Sequence, residues 1–150
     1  MKIFIDADAC PRDAKELTFR ASRRLGIPVV LTADRPIGHP ASPLISMVVV
    51  PRGMDSADRR IAADVRPGDL VITADIPLAA EVVGLGAAAL DPRGEIHTED
   101  NVRERLSLRD FLMSLRDAGE NLSGPAPFSR KDRQKFADSL DKLIRRLHGN

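Results

Sequence analysis

The stretch MKIFIDADACP (residues 1–11) decides how the chain is read. Ile3, Phe4 and Ile5 have the character of a buried strand, and the run breaks directly into two carboxylates, Asp6 and Asp8. A buried carboxylate without a partner is very costly, so an ordinary core strand avoids one. These acids therefore cap something or hold something. Four more apolar runs follow: VVL (29–31), LISMVVV (44–50), LVI (70–72) and AAAL (87–90). Most are β-branched and continuous rather than alternating, the pattern of strands covered on both faces.

Helical patterns lie between several of these runs. Pro11 suits a first turn, and Ala14, Leu17, Ala21 and Leu25 keep helical spacing up to a stop at Gly26. A second helix starts near DSAD (55–58), with Met54, Ala57, Ile61 and Val65 on one face, and ends at RPGD. A third follows Pro77 through LAAEVVG (78–84). Strands alternating with helices predict an α/β domain, with a mainly parallel five-stranded sheet inside a three-layer arrangement. Residues 1–97 make this core, and residues 98–150 make a helical C-terminal part of the same single domain. There Thr98 caps a helix with Val102, Leu106 and Leu115 along one stripe, closed by Gly119. NLSGPAPFS (121–129) is a linker or turn, and Ser129 caps a last helix with Phe136, Leu140, Leu143, Ile144 and Leu147 inward. The proline-rich segment 34–43 predicts an ordered loop.

Composition sets the outer limits. Apolar residues are 43% and charged residues 30% of 150, an ordinary globular profile. No apolar run is long enough to cross a bilayer, and the start lacks the features of a signal peptide. One cysteine, Cys10, excludes an internal disulfide framework and fits a reducing cytoplasm; it is expected to be a small packed residue. Residues 129–150 hold seven basic and three acidic groups, whereas residues 1–128 hold 16 basic and 19 acidic ones. A basic tail is compatible with a polyanionic partner and equally with a solvated amphipathic helix.

In open parallel sheets ligands sit outside the carboxyl ends of the strands, and here the acids collect at those ends. Asp6 and Asp8 end the first strand, Asp34 the second and Asp75 the fourth; Asp91 follows the fifth, and Asp55 and Asp58 come after the third. Adjacent strands are roughly 4.8 Å apart, so acids from neighbouring ends can bracket one cation. Like carboxylates that close repel unless a cation neutralises them, and oxygen donors favour Mg²⁺ or Mn²⁺. Structural alternatives stand beside this. Asp75 and Asp8 are fair helix caps, Asp55 with Asp58 has capping spacing, and Asp34 and Asp91 suit turns. Asp6 is the hardest to explain as structure.

With DADACP, SPLI, GDLVITADIPLA, LDPRG and GPAPFS all in place, the chain resembles the YaiI/YqxD family of bacterial proteins, from about residue 2 to the final helix. That family looks like a branch of the wider PIN/NYN nuclease-like group. The resemblance implies a sheet of order 3-2-1-4-5 and an acidic pocket that binds Mg²⁺ or Mn²⁺ for RNA cleavage. It implies that Asp6 and Asp75 meet as catalytic metal ligands, with Asp55 or Asp58 as a mid-chain acid and Asp91 as a candidate fourth. Asp8 is extra relative to the simplest pattern of that group.

The leading expectation is thus a metal-dependent phosphodiesterase acting on RNA, with Asp6, Asp8 and Asp75 as ligands and Asp55 or Asp58 completing the set. Thr73 is placed to orient a ligand, and Arg12, Arg52 and Arg93 are candidates to grip phosphates. One rival is a phosphatase of the haloacid dehalogenase type, since IFIDADAC resembles its first motif. GD (68–69) precedes its strand instead of following it, however, and a motif lysine is missing. The other rival is a module that binds a cation or RNA without turnover.

Overall fold

The computed structural model describes every residue except Ser123, Pro125 and Asn150. Strand β1 (Ile3–Asp6) leads through a 3₁₀ turn (Ala7–Ala9) into α1 (Arg12–Leu25), followed by β2 (Val29–Ala33) and β3 (Ile45–Val49). Next come α2 (Ser56–Asp64), β4 (Leu70–Ile72), α3 (Ile76–Gly84) and β5 (Ala88–Leu90). The chain ends in β6 (Ile96–His97), α4 (Glu99–Asp117) and α5 (Arg130–His148). The expected loop at 34–43 carries no helix or strand.

The sheet runs β3-β2-β1-β4-β5-β6. Its first five strands are parallel and take the expected order 3-2-1-4-5. The five-strand expectation needs one correction: β6 adds a sixth, antiparallel strand, with Leu90 opposite Ile96 and Ala89 opposite His97. A two-residue strand is too short to show any period. The turn signal DPRG is what closes this hairpin, with Asp91 and Gly94 bonded through their backbones.

Alternation along β1 sends Ile3 and Ile5 to one face of the sheet and Phe4 to the other. The first face is covered by Ala14, Phe19 and Ala21 of α1 and by Phe136, Leu140, Leu143 and Ile144 of α5. Ile61 of α2 and Leu78, Ala79 and Val82 of α3 cover the second. Burying each larger apolar side chain contributes about 1.5–3 kcal/mol relative to exposure. The result is three layers, helix, sheet, helix.

Thr98 and Ser129 cap α4 and α5 as expected. Each accepts from the N–H three residues on, while Asn101 and Asp132 accept in return. The two helices fare differently beyond that. α5 packs against α1 and the sheet, with its expected inward residues buried except Leu147, which is half-buried. α4 packs on α3, and Val102 is its only buried residue. Leu106 and Leu115, expected inward, are half-exposed. The stripe lies on a helix that reaches beyond the body it leans on.

The β5–β6 turn clasps α5. Arg93 donates to Asp132 at 2.9 Å and to the carbonyl of Ala126, and its guanidinium lies over the Phe128 ring. Lys135 pairs with Glu95, and the Ser139 hydroxyl donates to the Gly94 carbonyl at 2.7 Å. Gly94 has φ +95°, and a Cβ there would lie 2.6 Å from the Lys135 carbonyl carbon. Gly94→Ala should therefore lower stability by about 2–3 kcal/mol. Gly119→Ala, at φ +90° with no atom near its Cβ position, should cost only about 1 kcal/mol. Urea unfolding of both variants beside the wild type checks the difference.

Candidate active site

The register of β1 against β4 pairs Ile5 with Ile72, so the next residues, Asp6 and Thr73, emerge side by side. The Thr73 hydroxyl, buried to 1% exposure, donates to Asp6 Oδ2 at 2.9 Å. The Thr73 hydroxyl oxygen in turn accepts from the backbone N–H of Asp75 at 3.0 Å. Asp75 is also the N-cap of α3, accepting from the Leu78 N–H at 2.9 Å. Cap and candidate ligand are one residue, and the positive end of the α3 dipole favours charge there.

Asp58, in the first turn of α2, completes the cluster. Burial pushes its carboxyl up to about 7, helped by repulsion from Asp75 and Asp6, a hydrogen bond with Asp75 and the charge of Asp55. Asp6 is raised as well, first by burial, against the lowering effect of the Thr73 hydrogen bond, with Asp75 and Asp8 adding repulsion. Near neutrality Asp58 is thus only partly ionised, unlike an ordinary exposed aspartate.

The cleft beside these acids has a volume of about 630 Å³ and is lined by Met54, Asp55, Asp58, Arg59, Asp75, Pro77, Glu81 and Arg109. Arg59 and Arg109 are the cations that sequence reasoning missed. Arg59 directly follows Asp58, a signal open to sequence alone. Arg109 comes from α4 and is brought here only by the packing of that helix on α3.

The other candidates are spread more widely. Asp8 is exposed, and its carboxylate meets the Asp34 N–H at 3.4 Å. It does not cap α1, whose N-cap is Pro11 without a side-chain bond. Asp55 sits at the exposed rim in a left-handed conformation, φ 65°, and makes no cap bond to α2, so the capping arrangement with Asp58 is absent. Asp91 forms the turn, its carboxylate accepting from the Arg93 N–H at 2.7 Å. Arg12 pairs with Glu16, Arg52 is exposed in the β3–α2 loop, and Arg93 is engaged in the α5 clasp. None of these three arginines lines the cleft. Thr73 is committed to Asp6 and Asp75. Asp69 of the GD pair is buried and accepts from the N–H groups of Lys2 and Arg66, both at 2.9 Å. Cys10 is buried, and burial pushes its thiol up to about 12, which keeps it inert.

Among the described residues, no three His, Cys, Asp or Glu side chains stand in a ready metal-binding group. The donor chemistry of Asp6, Asp58 and Asp75 nonetheless matches a hard cation: all ligands are oxygen, and the acids are crowded enough to hold back a proton.

Because the Asp58 carboxyl lies higher in the folded chain than its ordinary 3.8, its stabilising contribution is present in full below that value. It is lost as pH rises through about 7. In buffer free of divalent ions, the Tm difference between wild type and Asp58→Asn should therefore shift against the wild type across that window. Carboxyl carbon NMR of Asp58 should show the same midpoint.

The family model described as "uncharacterized BCR, YaiI/YqxD family" matches residues 4–146. A UPF0178 protein of Geobacter metallireducens is 58% identical over 147 residues, covering 98% of this chain and 95% of its own. Another, from Geobacter sulfurreducens, is 54% identical over 148 residues, covering 98% of each. A third, from Bordetella avium, is 53% identical over 146 residues, covering 97% of this chain and 95% of its own. No solved structure matches. No helix is long and apolar enough to cross a membrane among the described residues. With the acid-bearing strands, the α3 cap and the α5 clasp all inside the matched range, the chain belongs to the YaiI/YqxD family.

Proposed function

We propose that the chain is a divalent-cation-dependent phosphodiesterase acting on RNA, built on a PIN-like fold. The observation that carries this reading is the convergence of Asp6, Asp58 and Asp75, the last two lining a cleft that also holds Arg59 and Arg109. The convergence lies where the strand order reverses, between β1 and β4, which is where open α/β sheets bind ligands. An acidic cleft repels a phosphodiester unless positive charge is supplied, and the two arginines are placed to meet the phosphate oxygens.

Asp6, Asp58 and Asp75 would hold Mg²⁺ or Mn²⁺, with Asp8 and Asp55 at the rim as further candidates. When bound, the ion supplies activated water and charge stabilisation for in-line attack on phosphorus. Thr73 fixes the carboxylate of Asp6, and the Leu78 N–H fixes that of Asp75. Asp58 must lose its proton before all three carboxylates can act as ligands, so ion affinity should rise as pH passes about 7.

One observation favours a second reading, a module that binds without turnover: the acids are not preset as a metal-binding group among the described residues. The two separate on one set of assays. Purified protein is given labelled RNA and a generic phosphomonoester, with and without Mn²⁺, alongside Asp6→Asn and Asp75→Asn. Asparagine is itself a good N-cap, so Asp75→Asn removes the charge while sparing α3. RNA cleavage should require Mn²⁺ and fall about a hundredfold or more in both variants. Cleavage that survives both substitutions belongs to a contaminant and overturns the proposal. No cleavage, with Mn²⁺ still raising the Tm of the wild type, establishes the module instead.

A further inference from the structure

The outer half of α4 carries large apolar side chains that nothing covers: Leu108 is 58% exposed, Phe111 52%, Met113 43% and Leu112 39%. Leu108, Leu112 and Met113, together with Ile76 at the start of α3, line a groove of about 250 Å³ whose remaining walls are Arg105, Arg109 and Arg116. No acidic side chain lines it. Positions 105, 109, 112 and 116 follow i, i+4, i+7, i+11 spacing and so share one helix face. Arg105 is spent on holding the helix, since it donates to the Ile96 carbonyl and pairs with Glu95, both at 3.0 Å. Among the described residues Arg116 has no ion pair, and Arg109 pairs only with its exposed neighbour Asp110, at 3.1 Å. Arg109 also lines the acidic cleft, and Ile76 directly follows Asp75. Groove and cleft therefore adjoin, with the Arg109 side chain common to both.

We propose that this groove is the track along which single-stranded RNA reaches the acids, one base face resting on Leu108, Leu112 and Met113 and successive phosphates on Arg109 and Arg116. The proposal rests on the RNA reading above and names the surface and the strandedness. Charge selects the occupant, because an all-arginine rim calls for an anion. The apolar floor selects further, because the anion must also offer apolar faces. Duplex RNA offers phosphates but keeps its base faces stacked inside the helix, whereas a single strand offers both.

Fluorescence anisotropy with a fluorescein-labelled single-stranded RNA in EDTA tests this without any cleavage, with the same sequence as a duplex for comparison. The proteins are the wild type, Arg109→Ala/Arg116→Ala and Leu112→Glu, each checked for unchanged circular dichroism. The single strand should bind about tenfold more tightly than the duplex. The double arginine variant should flatten the slope of log affinity against log salt by about 1.4, the loss of two phosphate contacts on a single strand. Leu112→Glu should weaken binding to the single strand. Wild-type affinity and slope in the arginine variant, equal binding of duplex, or no RNA binding at all overturns the proposal. So does sedimentation showing a dimer that Leu112→Glu dissociates, since the face would then belong to a second copy. The two proposals fail separately. RNA held in the groove but not cleaved in Mn²⁺ removes the nuclease and keeps the track. Cleavage lost in Asp75→Asn but indifferent to Leu112→Glu, which touches only the groove, does the reverse.

Discussion

The Thr73 hydroxyl donates to Asp6 and accepts from the backbone of Asp75, and this link holds the ends of the two central strands in step. It is what makes an acid tolerable at the end of β1. Ile3, Phe4 and Ile5 are buried on both faces, so Asp6 can meet solvent or ligand only at the strand terminus. Burial above all, and then repulsion from Asp75 and Asp8, keeps the carboxyl raised against the one hydroxyl that satisfies it. The sheet order follows the same logic. A parallel sheet needs helices on both faces, and the crossovers that place them leave β1 and β4 adjacent with their carboxyl ends open.

Asp6 and Asp69 show how one chain uses the same side chain for opposite ends. Asp69 is buried at the amino end of β4, and two backbone N–H groups, from Lys2 and Arg66, satisfy it in place. It ties the start of β1 to the start of β4. Asp6 lies at the other end of the same strand pair with a single donor and acidic neighbours. The first arrangement is complete as it stands. The second has spare acceptor capacity, which marks it as a site rather than a staple.

The sheet was legible because most of its parallel strands are nearly continuous apolar runs, and the acids were legible because they follow directly on those runs. What escaped depends on tertiary placement. Strand β6 is two residues long and borrows its identity from β5. Arg93 looked like a phosphate ligand because its loop follows a strand carrying an acid at its end, yet α5 folds back and takes it. Arg109 was invisible because only the packing of α4 on α3 brings it to the acids. The apolar stripe on α4 reads as core in sequence, since spacing tells which residues share a face but not whether anything lies opposite.

The clasp between the β5–β6 turn and α5 also sets an order of events. Phe136, Leu140, Leu143 and Ile144 finish one face of the sheet, and they come from the last helix of the chain. While the chain is being made from its N-terminus, Ile3, Ile5, Leu31 and Ile72 must wait with half their cover missing until α5 emerges. Gly94, Glu95 and Arg93 are already in place by then, forming the landing point on which the last helix closes. Until α5 is made, that greasy face of the sheet has no cover from it, whereas β1, α2, β4 and α3, which bring Asp6, Asp58 and Asp75 together, all precede it in the chain.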